Sequence, residues 1–271
     1  VQQSSYFIRA TGGSVDKSLL SNYERYYESA SIIPQQRDKE EVARFAGIAE
    51  SIGEGLEVLD IGCAEGLLSV ALALKGHRVT AADISRSFLE QAEELARHRD
   101  AGISTVLLDV ESDPPKELVN SFDLIYFMDV IEHLRCPARG LVALRAMLKE
   151  SGTLVIHTPN LCSLGQAYRY VKFRNRRENY FEPENLGDLH LQGYDYQTLE
   201  KALNFAGLQI RDVIPTNISL PIVYRFRWSR PISRSMSRFF PFVSDTLLVT
   251  CKKVLPVDLD KQIAHWKKTR A

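Results

Sequence analysis

The sequence carries no excess of charge of either sign: 34 Lys and Arg stand against 34 Asp and Glu, and the formal net charge is zero. Composition therefore implies no overall attraction to nucleic acid or to an anionic membrane. Cysteine is scarce. The four, at 63, 136, 162 and 251, share no CxxC spacing, which argues against a structural zinc site or a disulfide framework and fits a reducing compartment. No apolar run approaches the roughly 20 residues that span a bilayer, the longest clean one being 67–74. No basic-then-apolar leader opens the chain, and no repeat or low-complexity tract interrupts it. The expectation is a cytoplasmic protein, peripheral to a membrane at most, with enough chain in 271 residues for one large core.

The neutral total hides an asymmetry. Residues 1–160 carry 16 basic and 24 acidic side chains, and 161–271 carry 18 and 10, so the two parts are −8 and +8. An anionic ligand is expected to meet the second part. The first reads as short β-rich runs alternating with helical patterns, the signature of βαβ units and a mostly parallel sheet. Two N-terminal helices are predicted at 14–31 and 36–52. Strands follow at 56–61, 77–82, 104–108, 122–128 and 153–157, with helices at 65–75, 86–98 and 137–149 among them. Beyond residue 160 the rhythm loosens: 161–195 reads as an irregular, substrate-covering segment. A helix at 196–206, with Gly207 at its stop, leads to a sixth strand at 208–214, and 245–251 forms a seventh.

The strongest local signal is Val58-Leu59-Asp60-Ile61-Gly62-Cys63-Ala64-Glu65-Gly66, an apolar strand entering a small-residue turn before a helix. Such a turn lets backbone amides approach a ligand at a helix N-terminus. A dinucleotide fold wants glycine at the first, third and sixth turn positions, here Gly62, Ala64 and Leu67, so the pyrophosphate reading is weakened. Asp83 ends the second strand, where a carboxylate can accept hydrogen bonds from both ribose hydroxyls. Asp109 ends the third. Acids and a small-residue turn at the carboxyl ends of three successive strands form one constellation on the edge where open α/β sheets bind ligands.

This pattern, Asp-x-Gly-x-Ala-x-Gly with the acids after it, resembles the class I S-adenosylmethionine-dependent methyltransferases over about residues 58–160, with Ala64 in place of the more usual glycine. The stretch Asp129-Val130-Ile131-Glu132-His133 is similar to the small-molecule branch, including ubiquinone-type O-methyltransferases. The resemblance implies an α/β, Rossmann-like, seven-stranded, mostly parallel sheet with helices on both faces. Its antiparallel last strand lies between the fifth and sixth, and N-terminal helices and inserted cap segments complete it. One methyltransferase domain is expected, with a helical cap at 1–55, a cofactor-binding core at 56–160, substrate-side segments at 161–251 and a tail at 252–271.

The resemblance further implies S-adenosylmethionine as cofactor and S-adenosylhomocysteine as product. Asp60 and the turn Gly62, Cys63, Ala64 and Gly66 would face the methionine part, Asp83 with Ile84 the ribose side, and Asp109 with Val110 the adenine. Met128 and Asp129 would also touch the cofactor. His133 is expected to act as general base or acceptor orienter. Relatives that methylate RNA ends use a similar run to hold a divalent metal, which makes Asp129, Glu132, His133 and His190 candidate ligands, a reading not favoured over the metal-free one. His157 reads as a core histidine, and His77 and His98 as solvent-facing. Tyr23, Tyr26 and Tyr27, with Arg25, are candidates for a lid. Two stretches, 167–177 and 224–240, interleave arginine with aromatics. They suit a small-molecule, lipid-linked or glycan-precursor substrate with an anionic part, or peripheral membrane contact through 215–242. Extended nucleic-acid binding fits least.

Overall fold

The computed structural model describes residues 39–173, 191–218 and 235–254. The predicted helix at 14–31, the tyrosines at 23, 26 and 27, His190 and residues 224–234 lie outside them. Helix α1 (Lys39–Ile52) leads into β1 (Glu57–Ile61), α2 (Leu67–Leu74), β2 (Arg78–Asp83), α3 (Arg86–His98), β3 (Ile103–Leu107) and β4 (Phe122–Met128). Then come α4 (Pro137–Met147), β5 (Leu148–Pro159), α5 (Leu164–Phe173), α6 (Tyr196–Phe205), β6 (Leu208–Ile214) and β7 (Thr246–Lys253). The strands make one sheet in the order β3-β2-β1-β4-β5-β7-β6. The first five run parallel, and β7 pairs antiparallel with both β5 and β6. This is the expected Rossmann-like topology.

The central strands are apolar on both faces because helices cover both. Leu59, Ile61 and Phe127 pack with Leu141 and Leu144 of α4 and Leu199 of α6. On the other face Val58, Tyr126 and Val155 meet Phe45 of α1 and Leu68 and Leu72 of α2. A buried bond fastens α1 to the sheet, the Tyr126 hydroxyl donating to the Phe45 carbonyl at 2.6 Å. Local signals start the helices where they were legible. The Ser85 hydroxyl caps α3 by accepting from Phe88 N, Pro137 opens α4, and Asp195 and Thr198 close a capping box on α6.

Four local expectations are corrected. Helix α2 begins at Leu67, not at residue 65, because Gly66 takes φ +77° at its N-cap. Strand β5 starts at Leu148, five residues earlier than expected, and α4 is shorter to match. The Lys149-Glu150 pair disguises the alternation there, yet Lys149 Nζ reaches Asp123 Oδ2 at 2.9 Å and ties this start to β4. Helix α5 stands where 161–195 read as irregular. Its signal was Ser163-x-x-Gln166, for the Ser163 hydroxyl accepts from Gln166 N at 3.1 Å. His77 is buried rather than solvent-facing, its Nδ1 accepting from Leu56 N at 3.3 Å, and burial lowers its pKa.

At the far end of β5 the chain is locked by Asn160, which is fully buried. Its side-chain amide donates to the carbonyls of Phe242 and Ser244 at 2.9 and 2.8 Å, and its oxygen accepts from Cys162 N at 3.0 Å. Asn160 thereby joins the segment before β7 to the carboxyl edge of the sheet. Asn160→Ala leaves those buried groups unsatisfied, and urea unfolding is expected to show a loss of roughly 2–4 kcal/mol.

Candidate functional site

The carboxyl edge of the parallel strands is organised by the turn between β1 and α2. Gly62 N and Cys63 N both donate to the Ala82 carbonyl, at 2.8 and 3.1 Å, and Gly66 N returns to Cys63 O at 2.9 Å. Gly62 has φ +71°, and a Cβ there would lie 2.3 Å from Val130 Cγ2, so the position is closed to any side chain. Ala64 also adopts a left-handed φ, +48°, which costs a residue with a Cβ of the order of 1 kcal/mol. The cost is offset by the hydrogen bond from Ala64 N to Asp83 Oδ2 at 3.1 Å.

Two of the three edge acids are built into this turn. Asp60 is buried and accepts from the Ser69 hydroxyl in the first turns of α2 at 2.6 Å. Asp83 is 7% exposed and accepts from Ala64 N and Ser85 N. Burial raises the Asp83 pKa, the two backbone donors pull it down, and the neighbouring Asp60 charge raises it further. Further donors, such as a ribose diol, would favour its charged form. Asp109 stands two residues past Leu107, the β3 partner of Asp83, and accepts from Glu111 N at 2.9 Å. Ile84 and Leu107 expose apolar surface along the same edge. Val110 and Met128 are buried, so of these two only the backbone is placed to meet a ligand.

Beyond β4 the predicted acidic run separates. Asp129, at φ +55°, turns its Oδ1 to within 2.7 Å of His157 Nδ1. Glu132, 2% exposed on a short 3-10 turn with Ile131 and His133, accepts from the Thr158 hydroxyl at 3.0 Å. Burial, with the Glu132 charge nearby, pushes Tyr194 up to about 12. Among the described residues no group of three or more His, Cys, Asp or Glu side chains is arranged to hold a metal ion. Asp129 and Glu132 face different partners, and His190 lies outside the described chain.

A family model described as a methyltransferase domain matches residues 30–213. The chain belongs to the class I methyltransferases. The ubiquinone biosynthesis O-methyltransferase of Coxiella burnetii is 36% identical over 107 residues, 40% of this chain and 45% of that protein. This methyltransferase chain thus spans less than half the length of that curated relative. Among solved structures, magnesium protoporphyrin IX methyltransferase from Synechocystis, with bound S-adenosylhomocysteine, superposes with a TM-score of 0.56 at 16% identity. The match covers 88% of this chain and all of that one. A Burkholderia thailandensis 1,6-didemethyltoxoflavin N1-methyltransferase gives 0.52 at 16% identity, covering 88% and 86%.

Sequence reasoning did not find the partners that Asp129 and Glu132 take. His157 is buried, as read, and its ring in addition meets Asp129. Thr158 and Tyr194, the neighbours of Glu132, were not singled out. The available signal was polarity at the end of a buried strand: Leu154-Val155-Ile156 passes into His157-Thr158 just before the edge. The strain in the turn is testable. Ala64→Gly is expected to raise stability by roughly 0.5–1 kcal/mol, whereas Gly62→Ala should lower it by about 1–3 kcal/mol through overpacking against Val130; thermal melts of the two variants shift in opposite directions.

Proposed function

We propose that this protein transfers the methyl group of S-adenosylmethionine to an oxygen of a small acceptor. The observation that carries the reading is the juxtaposition of the left-handed Gly62–Gly66 turn with Asp60, Asp83 and Asp109 at the ends of three adjacent strands. In this reading Asp60 and the turn face the methionine part, Asp83 binds the ribose hydroxyls beside Ile84, and Asp109 holds the adenine amino group next to the Val110 amide. The backbone of Met128 and Asp129 closes the cofactor side. A sulfonium leaves as a neutral thioether, so the protein's task is to align acceptor, methyl carbon and sulfur and to exclude water. The ends of β4 and β5 line the acceptor side, where His133 orients the hydroxyl.

The acceptor we infer is a small metabolite or a lipid or glycan precursor with an anionic part, met from a position peripheral to a bilayer. Residues 213–244 hold five arginines and no acid. Phe239, Phe240 and Phe242 are 77%, 59% and 50% exposed beside the exposed Arg238, a combination suited to an anionic lipid surface. Asn160 fastens residues 242–244 to the same sheet edge as the acids.

Calorimetric titration tests the cofactor. Saturable binding of S-adenosylmethionine and S-adenosylhomocysteine is expected, weakened at least about tenfold in Asp83→Ala, in line with loss of hydrogen bonds to a charged group; a folded wild type that binds neither sinks the reading. Vesicle sedimentation tests the surface. The chain is expected to associate with phosphatidylglycerol vesicles but not with pure phosphatidylcholine ones. The association should weaken as salt rises and fall in Phe239→Ser/Phe240→Ser; equal binding to both vesicle types would overturn it.

A further inference from the structure

His157 is 4% exposed on β5, packed between Asp129 and the Phe45 ring, whose centroid lies 5.4 Å from its own. It is joined to Asp129 twice. Its carbonyl accepts from Asp129 N at 2.9 Å, and its Nδ1 lies 2.7 Å from Asp129 Oδ1. A carboxylate has only acceptors, so the proton in that contact sits on Nδ1, and the neutral ring keeps its lone pair on Nε2. That Nε2 is buried and has no hydrogen-bond partner. The basic nitrogen is thus left unsatisfied in the interior, and Asp129 takes a left-handed φ where it meets the ring.

Strand register places the pair beside the cofactor turn. Asp60, Tyr126 and Val155 lie in one row across β1, β4 and β5. Tyr126 and Val155 face the side covered by α1 and α2. Two residues further on, Met128 and His157 pair on that same face, and Gly62 follows Ile61, the partner of Phe127. His157 therefore stands two strands, about 10 Å, from the glycine turn, and Val130, which closes on Gly62, is the neighbour of Asp129 in the chain.

We propose that His157 is the proton acceptor of the reaction, with Asp129 as the group that fixes its tautomer and balances its charge. The inference rests on the methyltransferase reading of the site. As the acceptor oxygen bonds to the methyl carbon, its O–H bond breaks and the proton passes to His157 Nε2; the C–S bond breaks with its electron pair left on sulfur, giving the neutral thioether. The imidazolium so formed is stabilised by the Asp129 carboxylate. His133, half-buried on its turn, is left to orient the acceptor.

His157→Asn separates this role from a structural one, since its amide keeps a donor toward Asp129 but offers no basic nitrogen. With 3,4-dihydroxybenzoate as probe acceptor, the variant is expected to keep the wild-type melting temperature within a few degrees and its affinity for S-adenosylmethionine within about threefold. Its kcat should fall by about 10²–10⁴, the usual worth of general base catalysis, whereas His133→Gln should act mainly on KM. Retained kcat in His157→Asn overturns the inference. A second readout needs no turnover: in ¹⁵N-histidine NMR of the resting protein, the signal missing from His157→Asn is expected to show a proton on Nδ1 and none on Nε2. A proton on Nε2 overturns the inference, whether or not the probe is methylated. Absence of S-adenosylmethionine binding by wild type would instead count against the methyltransferase reading.

Discussion

Two amides, Gly62 N and Cys63 N, converge on one carbonyl, Ala82 O, and the carboxyl edge of the sheet depends on that contact. It holds the β1–α2 turn against the end of β2 and obliges the backbone to turn through left-handed conformations at Gly62, Ala64 and Gly66. Once the turn is so placed, Asp83 can brace it through Ala64 N and Asp60 can anchor the start of α2 through Ser69. The buried carboxylates accept from the backbone and a hydroxyl, which fixes their orientation along the edge.

The other half of the site is assembled by the antiparallel end of the sheet. Strand β7 enters between β5 and β6, and Asn160 ties the approach to β7 to the end of β5. The polar residues at the end of β5 divide between the two faces of the sheet by strand alternation. His157 turns toward α1 and Asp129, and Thr158 toward Glu132. The acidic run after β4 therefore serves two distinct neighbourhoods, one beside the β1–α2 turn and one near Tyr194.

Much of this was legible in local patterns. The Asp60-to-Gly66 turn, Asp83 and Asp109 announced themselves because each chemistry-bearing residue follows directly on an apolar strand, and the edge of a parallel sheet is where strand ends meet. Helix starts at Ser85, Pro137 and Asp195 were visible for the same reason: caps are made within a few residues. The start of β5 and the whole of α5 were not, since a Lys-Glu pair broke the alternation in one and basic residues blurred the apolar stripe in the other.

The sequence by itself determined the βαβ succession, the acids at the carboxyl edge and the asymmetry of charge, all of them properties of residues near one another in the chain. Only the tertiary structure decided which partners those residues take. Asp129 meets His157 across 28 positions and Glu132 meets Thr158 across 26, and nothing in local spacing distinguishes these pairings from a carboxylate cluster around a metal. The choice follows from strand register and from the alternation of side chains between sheet faces, which exist only once β4 and β5 lie side by side.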